Sequence, residues 1–272
     1  MPIQSLIALI ILVLITSAVG VVTGGNSLIT VPVMFGLGID EKTAVATNMF
    51  GLTFMAIGGA IPFLRQGKVD VKGLSPMIIL TIVGSAIGAA IVGLLTNEAI
   101  KLIVTVAMIA VVVFSLITGN GRRKKAEIEN LETSHPPVSN AAPTGQDHYV
   151  SAIWAIVGYV VVFLLAIYGG LYSGGYVTVL TAVLVAFFGM TYTGSIASTK
   201  VLNVFSSSIA TAVFIYQGLV NFQLGVILAV TMFAGAYVGA HYATKMNEVW
   251  LRRIFLSAVL LLAVRAIIDF AA

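Results

Sequence analysis

Eight apolar runs, each about long enough to cross the ~30 Å hydrocarbon core of a bilayer, constrain this chain more than any other feature. They fall near Ile3–Val22, Ala44–Leu64, Leu74–Leu95, Ile100–Ile117, Ala152–Leu171, Gly194–Tyr216, Phe222–Tyr242 and Trp250–Ile268. Inside lipid every backbone N–H and C=O must be bonded within the structure, so runs of this length fold as helices. Composition agrees: 9% of the 272 residues are charged, against roughly 25% in a soluble domain. The expected fold is an all-α polytopic membrane protein, partnered by the lipid bilayer.

Two further apolar segments are shorter. Ser27–Leu37 follows "VVTGG" and Tyr176–Phe188 follows "LYSGG". At ~1.5 Å per residue each spans about two-thirds of the core. Glycine permits a tight turn and close approach of another backbone. Pro32 lacks an amide donor, which is harmless only near the start of a helix, so the first short helix is expected to begin near Ser27 or Thr30. The architecture expected is therefore about eight long spans plus two short helices, either crossing or re-entrant.

The one long polar stretch, Gly119–Tyr149, carries charges and then Pro, Asn and Ser, and reads as a flexible cytoplasmic linker. It separates a first membrane repeat, 1–118, from a second, 150–272. Gly67-Lys-Val-Asp70 aligns with Gly218-Leu-Val-Asn221, and Gly84/Gly88 with Gly235/Gly239, all at an offset of 151. Gly24-Gly25 aligns with Gly174-Gly175 at 150, which implies a small indel.

Charge then orients the halves. Arg65, Lys68 and Lys72, the linker's Arg122, Arg123, Lys124 and Lys125, and Lys245, Arg252 and Arg253 fall on one side if the repeats are inverted. Only Lys42, Lys101 and Arg265 then fall on the other. A parallel arrangement divides the same residues eight to five. By the positive-inside rule the repeats are inverted and both termini face outward.

Inverted, broken helices place helix ends near the midplane, where many transporters hold substrate. Helix N-termini offer free amides and partial positive charge, which suit an anion. The competing reading is that the glycines only allow close helix packing. All ten Asp and Glu lie at span ends or in loops. Lys200 stands apart, well inside a span beside Ser198, Thr199 and Asn203. A lysine at that depth costs roughly 3 kcal/mol to insert and normally faces a cavity or a partner. A bound anion would neutralise it; snorkelling to the interface is the alternative. The offset matches Thr47 to Ser198, Asn48 to Thr199, Met49 to Lys200 and Leu52 to Asn203. The candidate substrate contacts are Lys200, Asn203, Ser198, Thr199, Thr47, Asn48, Gly24, Gly25, Asn26, Gly174 and Gly175.

"TGGNSLITVP", "AVATN", "LRQGKVD" and "ASTKVLN…QGLVNF" together resemble the TauE/SafE family of sulfite and organosulfonate exporters, over nearly the whole chain. That resemblance implies an integral membrane transporter of a small sulfur-containing anion, in a bacterial or archaeal plasma membrane. A passive anion channel is the alternative class. An enzyme is disfavoured: the chain has no cysteine, no paired intramembrane carboxylates and no His/Asp/Glu set at metal spacing. No cofactor and no nucleic-acid partner are expected; a homodimer is compatible. Outward movement of an anion gains about 2.3 kcal/mol per charge per 100 mV, so export needs no coupling ion.

Overall fold

The computed structural model describes residues 2–66, 71, 73–110 and 145–245, with side chains in the last stretch from 154 onward. Among these residues the chain is helical, with α1 Ile3–Thr23, α2 Asn26–Gly36, α3 Glu41–Arg65 and α4 Ser75–Leu94 in the first half. Residues 97–110 form α5 as far as it is described. The second half contributes α6 Gly145–Leu171, α7 Tyr176–Phe188, α8 Tyr192–Tyr216 and α9 Phe222–Ala243. Six of these helices are long and apolar enough to cross a membrane: α1, α3, α4, the Trp154–Leu171 part of α6, α8 and α9. They match six of the eight runs. The run at Ile100–Ile117 is described only to residue 110, and Trp250–Ile268 lies outside the described residues, as do Gly67–Asp70 and 111–144 of the linker region. Helix α6 starts at Gly145, within the stretch read as linker.

Local chemistry sets the helix starts. Asp40 caps α3 by accepting from the Thr43 amide at 3.0 Å, and Thr191 caps α8 by accepting from the Gly194 amide at 3.1 Å. These two caps are also 151 residues apart. Asn221 caps α9 in the same way through Leu224 N, at 3.1 Å. Ile3, Ile7, Ile11 and Ile15 recur every fourth residue on α1 and are exposed, an apolar stripe suited to lipid.

The contacts give each long helix a direction. A Cβ on Gly84 would meet Ala166 and Phe163, and one on Gly88 would fall 1.9 Å from the Ile167 carbonyl oxygen, so α4 and α6 run the same way. Gly235 meets Leu14 and Ser17 while Gly239 meets Ala18, so α1 and α9 also run parallel. Gly51 lies against Leu228 and Met232 and Gly58 against Phe233, which makes α3 parallel to α9. The α4–α8 pair is parallel too, from Ser85–Ser206 at one level to Gly93–Gln217 at the other. Across the middle, Thr53 meets Thr211 while Gly59 meets Lys200: α3 and α8 are antiparallel.

The breaks differ in length. Only Gly24 and Gly25 separate α1 from α2, whereas Tyr172 to Gly175 separate α6 from α7. Gly24 is left-handed at φ 76°, and Gly25 is not, at φ −88°. In the second break the left-handed residue is Gly175, at φ 78°. The two left-handed glycines are therefore 151 apart, the offset of the other landmarks. Aligned by conformation, the halves need no indel here, which corrects the pairing made on the glycine doublets. Helix α2 begins at Asn26, one residue before Ser27, and Pro32 falls in its second turn, where it removes the bond its amide would give to the residue 28 carbonyl.

Candidate functional site

The two breaks meet each other. Tyr172 donates its hydroxyl to the Ser27 carbonyl at 3.0 Å, and Thr178 donates to the Thr23 carbonyl at 2.6 Å. A Cβ on Gly24 would lie 2.8 Å from the Thr178 amide nitrogen, so only glycine allows this approach. The carbonyl end of α1 thus faces the amide end of α7, and opposite ends of two helix dipoles are joined. Turns close part of each N-terminus, with Leu28 N bonding Gly25 O and Tyr176 N bonding Ser173 O, both at 3.2 Å. Gly174 packs beneath the Tyr172 ring and its carbonyl accepts from the Tyr168 hydroxyl.

In the first half every candidate polar side chain is engaged within the protein. Asn48 accepts from the Thr30 hydroxyl at 2.7 Å and donates to the Ser27 hydroxyl at 2.9 Å, tying α3 to α2. Asn26 accepts from Ser17 at 3.4 Å and turns its amide toward the Met232 sulfur at 3.7 Å. Thr47 accepts the Asn221 amide at 3.0 Å, where α9 begins. These groups hold helices together.

The second half differs. Lys200, the ninth residue of α8, is 2% exposed, and its ammonium makes no hydrogen bond or ion pair among the described residues. Its Cδ lies 3.6 Å from where a Cβ on Gly59 would sit. Val21 and Ala236 border the same spot. Val21 is three residues before Gly24, so the lysine stem runs beside the first break. Asn203, one turn on and on the same face, is 5% exposed and its side-chain amide is likewise unpartnered. Ser198 is also unbonded but two residues from Lys200, a spacing that points to a different face. Thr199 bonds back to the Ile196 carbonyl of its own helix at 2.8 Å.

The structure does not bring Thr47 and Asn48 to Lys200. Lys200 meets α3 at Gly59, eleven residues beyond Asn48, which is about 16 Å along the helix at ~1.5 Å per residue. The cause is the antiparallel pairing of α3 and α8, which sends equivalent positions to opposite ends. Sequence reading also missed Ser27 and Thr178, which lie 151 apart and each flank a break. Tyr172, Thr30 and Thr23 were missed with them. A second buried hydroxyl group lies between α4, α7 and α8: Ser85 and Ser206 are 2.7 Å apart, and Tyr176 points toward Thr81 and Ser206 without closing a bond to either.

With the geometry in hand, the comparison with known proteins decides the family. The family model described as sulfite exporter TauE/SafE matches residues 9–266. The chain belongs to the TauE/SafE family. Relatives from bacteria carry names of a transporter kind. A probable membrane transporter protein, ORF9, from Sinorhizobium sp. is 23% identical over 91% of this chain and 87% of its own length. A probable membrane transporter protein of Haemophilus influenzae is 22% identical, covering 85% of this chain and 81% of its own. The Escherichia coli K12 protein YfcA, also a probable membrane transporter, is 23% identical over 85% and 78%. No solved structure matches the chain. TauE/SafE membership and the six apolar helices together make this an integral membrane protein of a transporter family.

Proposed function

We propose that this protein is a secondary transporter that exports a small anion, such as sulfite, a sulfonate or a related sulfur oxyanion, by alternating access of two inverted halves. One observation carries the reading: Lys200 is buried in a membrane helix with no anionic or hydrogen-bonding partner among the described residues. An uncompensated ammonium in that position is costly, and an arriving anion relieves the cost. Asn203, on the same face and also unpartnered, supplies neutral donors to the same ligand.

Inversion draws support from helix direction. α3 and its counterpart α8 are antiparallel, α4 follows α6 and α8, and α1 follows α3 and α9. The counterparts α1/α6, α3/α8 and α4/α9 therefore point opposite ways. Alternating access then opens one break while the other stays closed, with the Tyr172–Ser27 and Thr178–Thr23 bonds as the contacts that exchange. Export along an inside-negative potential needs no second ion, in keeping with the absence of a buried Asp or Glu among the described residues.

The test is sulfite counterflow in liposomes bearing the full-length protein, run at mildly acidic pH where sulfite is the singly charged hydrogensulfite, beside planar-bilayer recording. Saturable counterflow that is lost in Lys200→Met is the expected result. Unitary currents with no counterflow would make the protein a channel.

A further inference from the structure

We propose that the Lys200 site takes a singly charged anion and turns away a doubly charged one, an inference that rests on the anion-transporter reading above. Lys200 is the one charged side chain that is buried among the described residues. Its neighbours add no second positive charge. Asn203 is neutral, and Gly59, Val21 and Ala236 present carbon. The repeat does not double the charge either. On α8 the positions Lys200, Asn203, Ser207 and Thr211 run along one face; their counterparts on α3 are Met49, Leu52, Ala56 and Ala60. All eight residues are buried. One half thus carries a polar stripe with a single cation, and the other carries an apolar one at the equivalent place.

The second half's short helix does not make up the difference. The amide end of α7, whose partial positive charge could offset a second negative charge, faces the carbonyl end of α1 through Thr178 and Thr23. Ser207 is already committed, donating to the Asn203 carbonyl at 2.6 Å. Thr211 is shared with Thr53 at 3.0 Å. A monoanion against Lys200 forms a neutral pair. A dianion leaves one full charge in a medium of low dielectric, where nothing compensates it.

Methanesulfonate and sulfate test this, because the two are close in size and oxygen geometry and differ by one unit of charge. Binding of each to the full-length protein in detergent is measured by calorimetry at neutral pH and matched ionic strength. Methanesulfonate is expected to bind at least about tenfold more tightly, which corresponds to about 1.4 kcal/mol of uncompensated charge. In Lys200→Met affinity for methanesulfonate should fall sharply, because the monoanion too then leaves a full charge uncompensated. Sulfate binding as tightly as methanesulfonate in the wild type, and weakened by Lys200→Met, would overturn the charge assignment and leave the anion site standing. Affinities untouched by Lys200→Met, or no binding of either anion, would overturn the inference and the transporter reading together. The wild-type comparison does not depend on how any variant folds.

Discussion

The Thr178 hydroxyl donates to the Thr23 carbonyl at 2.6 Å, so the start of the second half's short helix is fastened to the end of the first half's opening helix. The Tyr172 hydroxyl donates to the Ser27 carbonyl at 3.0 Å, a second link in the same direction between the two breaks. A glycine-broken membrane helix exposes backbone groups that lipid cannot satisfy. Here the second break supplies both hydroxyls and the first break both carbonyls, so carbonyls freed at the first break are satisfied by the second half.

Removing either link should loosen the crossing without unfolding the bundle. Thr178→Val keeps the side-chain shape and Tyr172→Phe keeps the ring. Each should lower stability by about 1 kcal/mol, the net value of one intramolecular hydrogen bond. Thermal unfolding in detergent reads the loss. The pair should be non-additive, because both bonds close the same contact. Simple additivity would mean that the two breaks respond independently.

The turn itself depends on Gly24 more than on Gly25. Alanine at Gly24 must adopt φ 76° and bring its Cβ within 2.8 Å of the Thr178 nitrogen and the Val177 Cβ. Left-handed backbone alone costs an alanine about 1–2 kcal/mol, and the clash adds to it. Gly25, at φ −88°, imposes no such strain. Gly24→Ala should therefore lower the melting temperature and suppress transport, while Gly25→Ala leaves the melting temperature near that of the wild type. The reverse order would show that the left-handed position has been misplaced.

How far this was readable from the sequence depends on what an offset can tell. The 151-residue offset pairs positions of the two halves, and the Asp40 and Thr191 caps, the Gly84/Gly88 and Gly235/Gly239 pairs, and Ser27 and Thr178 stand at that spacing. The depth of Lys200 was legible because a charge in an apolar run is conspicuous. Equivalence does not mean proximity, however. Thr47 and Asn48 correspond to Ser198 and Thr199, yet the antiparallel crossing of α3 and α8 carries them to opposite ends. Nor does residue type reveal whether a buried amide is already bonded. Asn48 and Asn203 look alike in sequence, and only the fold shows that the first is paired and the second is not.

At the membrane surface, Asp40 makes the start of α3 sensitive to acid. Burial alone would raise its carboxyl, but the Thr43 amide and hydroxyl, the Asn97 side chain and the Lys42 charge outweigh it and hold the group below its ordinary 3.8. A carboxyl that is lowered in the folded state stabilises the fold above its unfolded value. That contribution is lost as pH falls from about 3.8 through the lower folded value. Asp40→Asn keeps a capping oxygen but removes the charge, so its melting temperature should change less over that range than the wild type's. Asp40→Ala should cost about 1 kcal/mol at neutral pH through loss of the cap. Parallel pH–melting curves for wild type and Asp40→Asn would show that the acid response originates elsewhere.

Asn48 and Asn203 finally offer a direct separation of building from binding. Asn48→Leu strands the Ser27 hydroxyl in a buried site, at about 1–3 kcal/mol, and leaves the Thr30 hydroxyl only its longer bond to the Asn26 carbonyl at 3.2 Å. The variant should be markedly less stable. Asn203→Leu copies the residue that the first half carries at Leu52, and it breaks no bond, because the Asn203 side chain makes none. Burying a leucine there in place of an unpartnered amide should leave the melting temperature unchanged or higher. Its cost should instead appear in the ligand. Losing one neutral hydrogen bond of about 0.5–1.5 kcal/mol weakens methanesulfonate binding by roughly 2- to 12-fold. The decisive measurement sets melting temperature against methanesulfonate affinity for both variants. If Asn203→Leu destabilises the protein and leaves affinity intact, Asn203 belongs to the scaffold, and Lys200 must hold the anion without it.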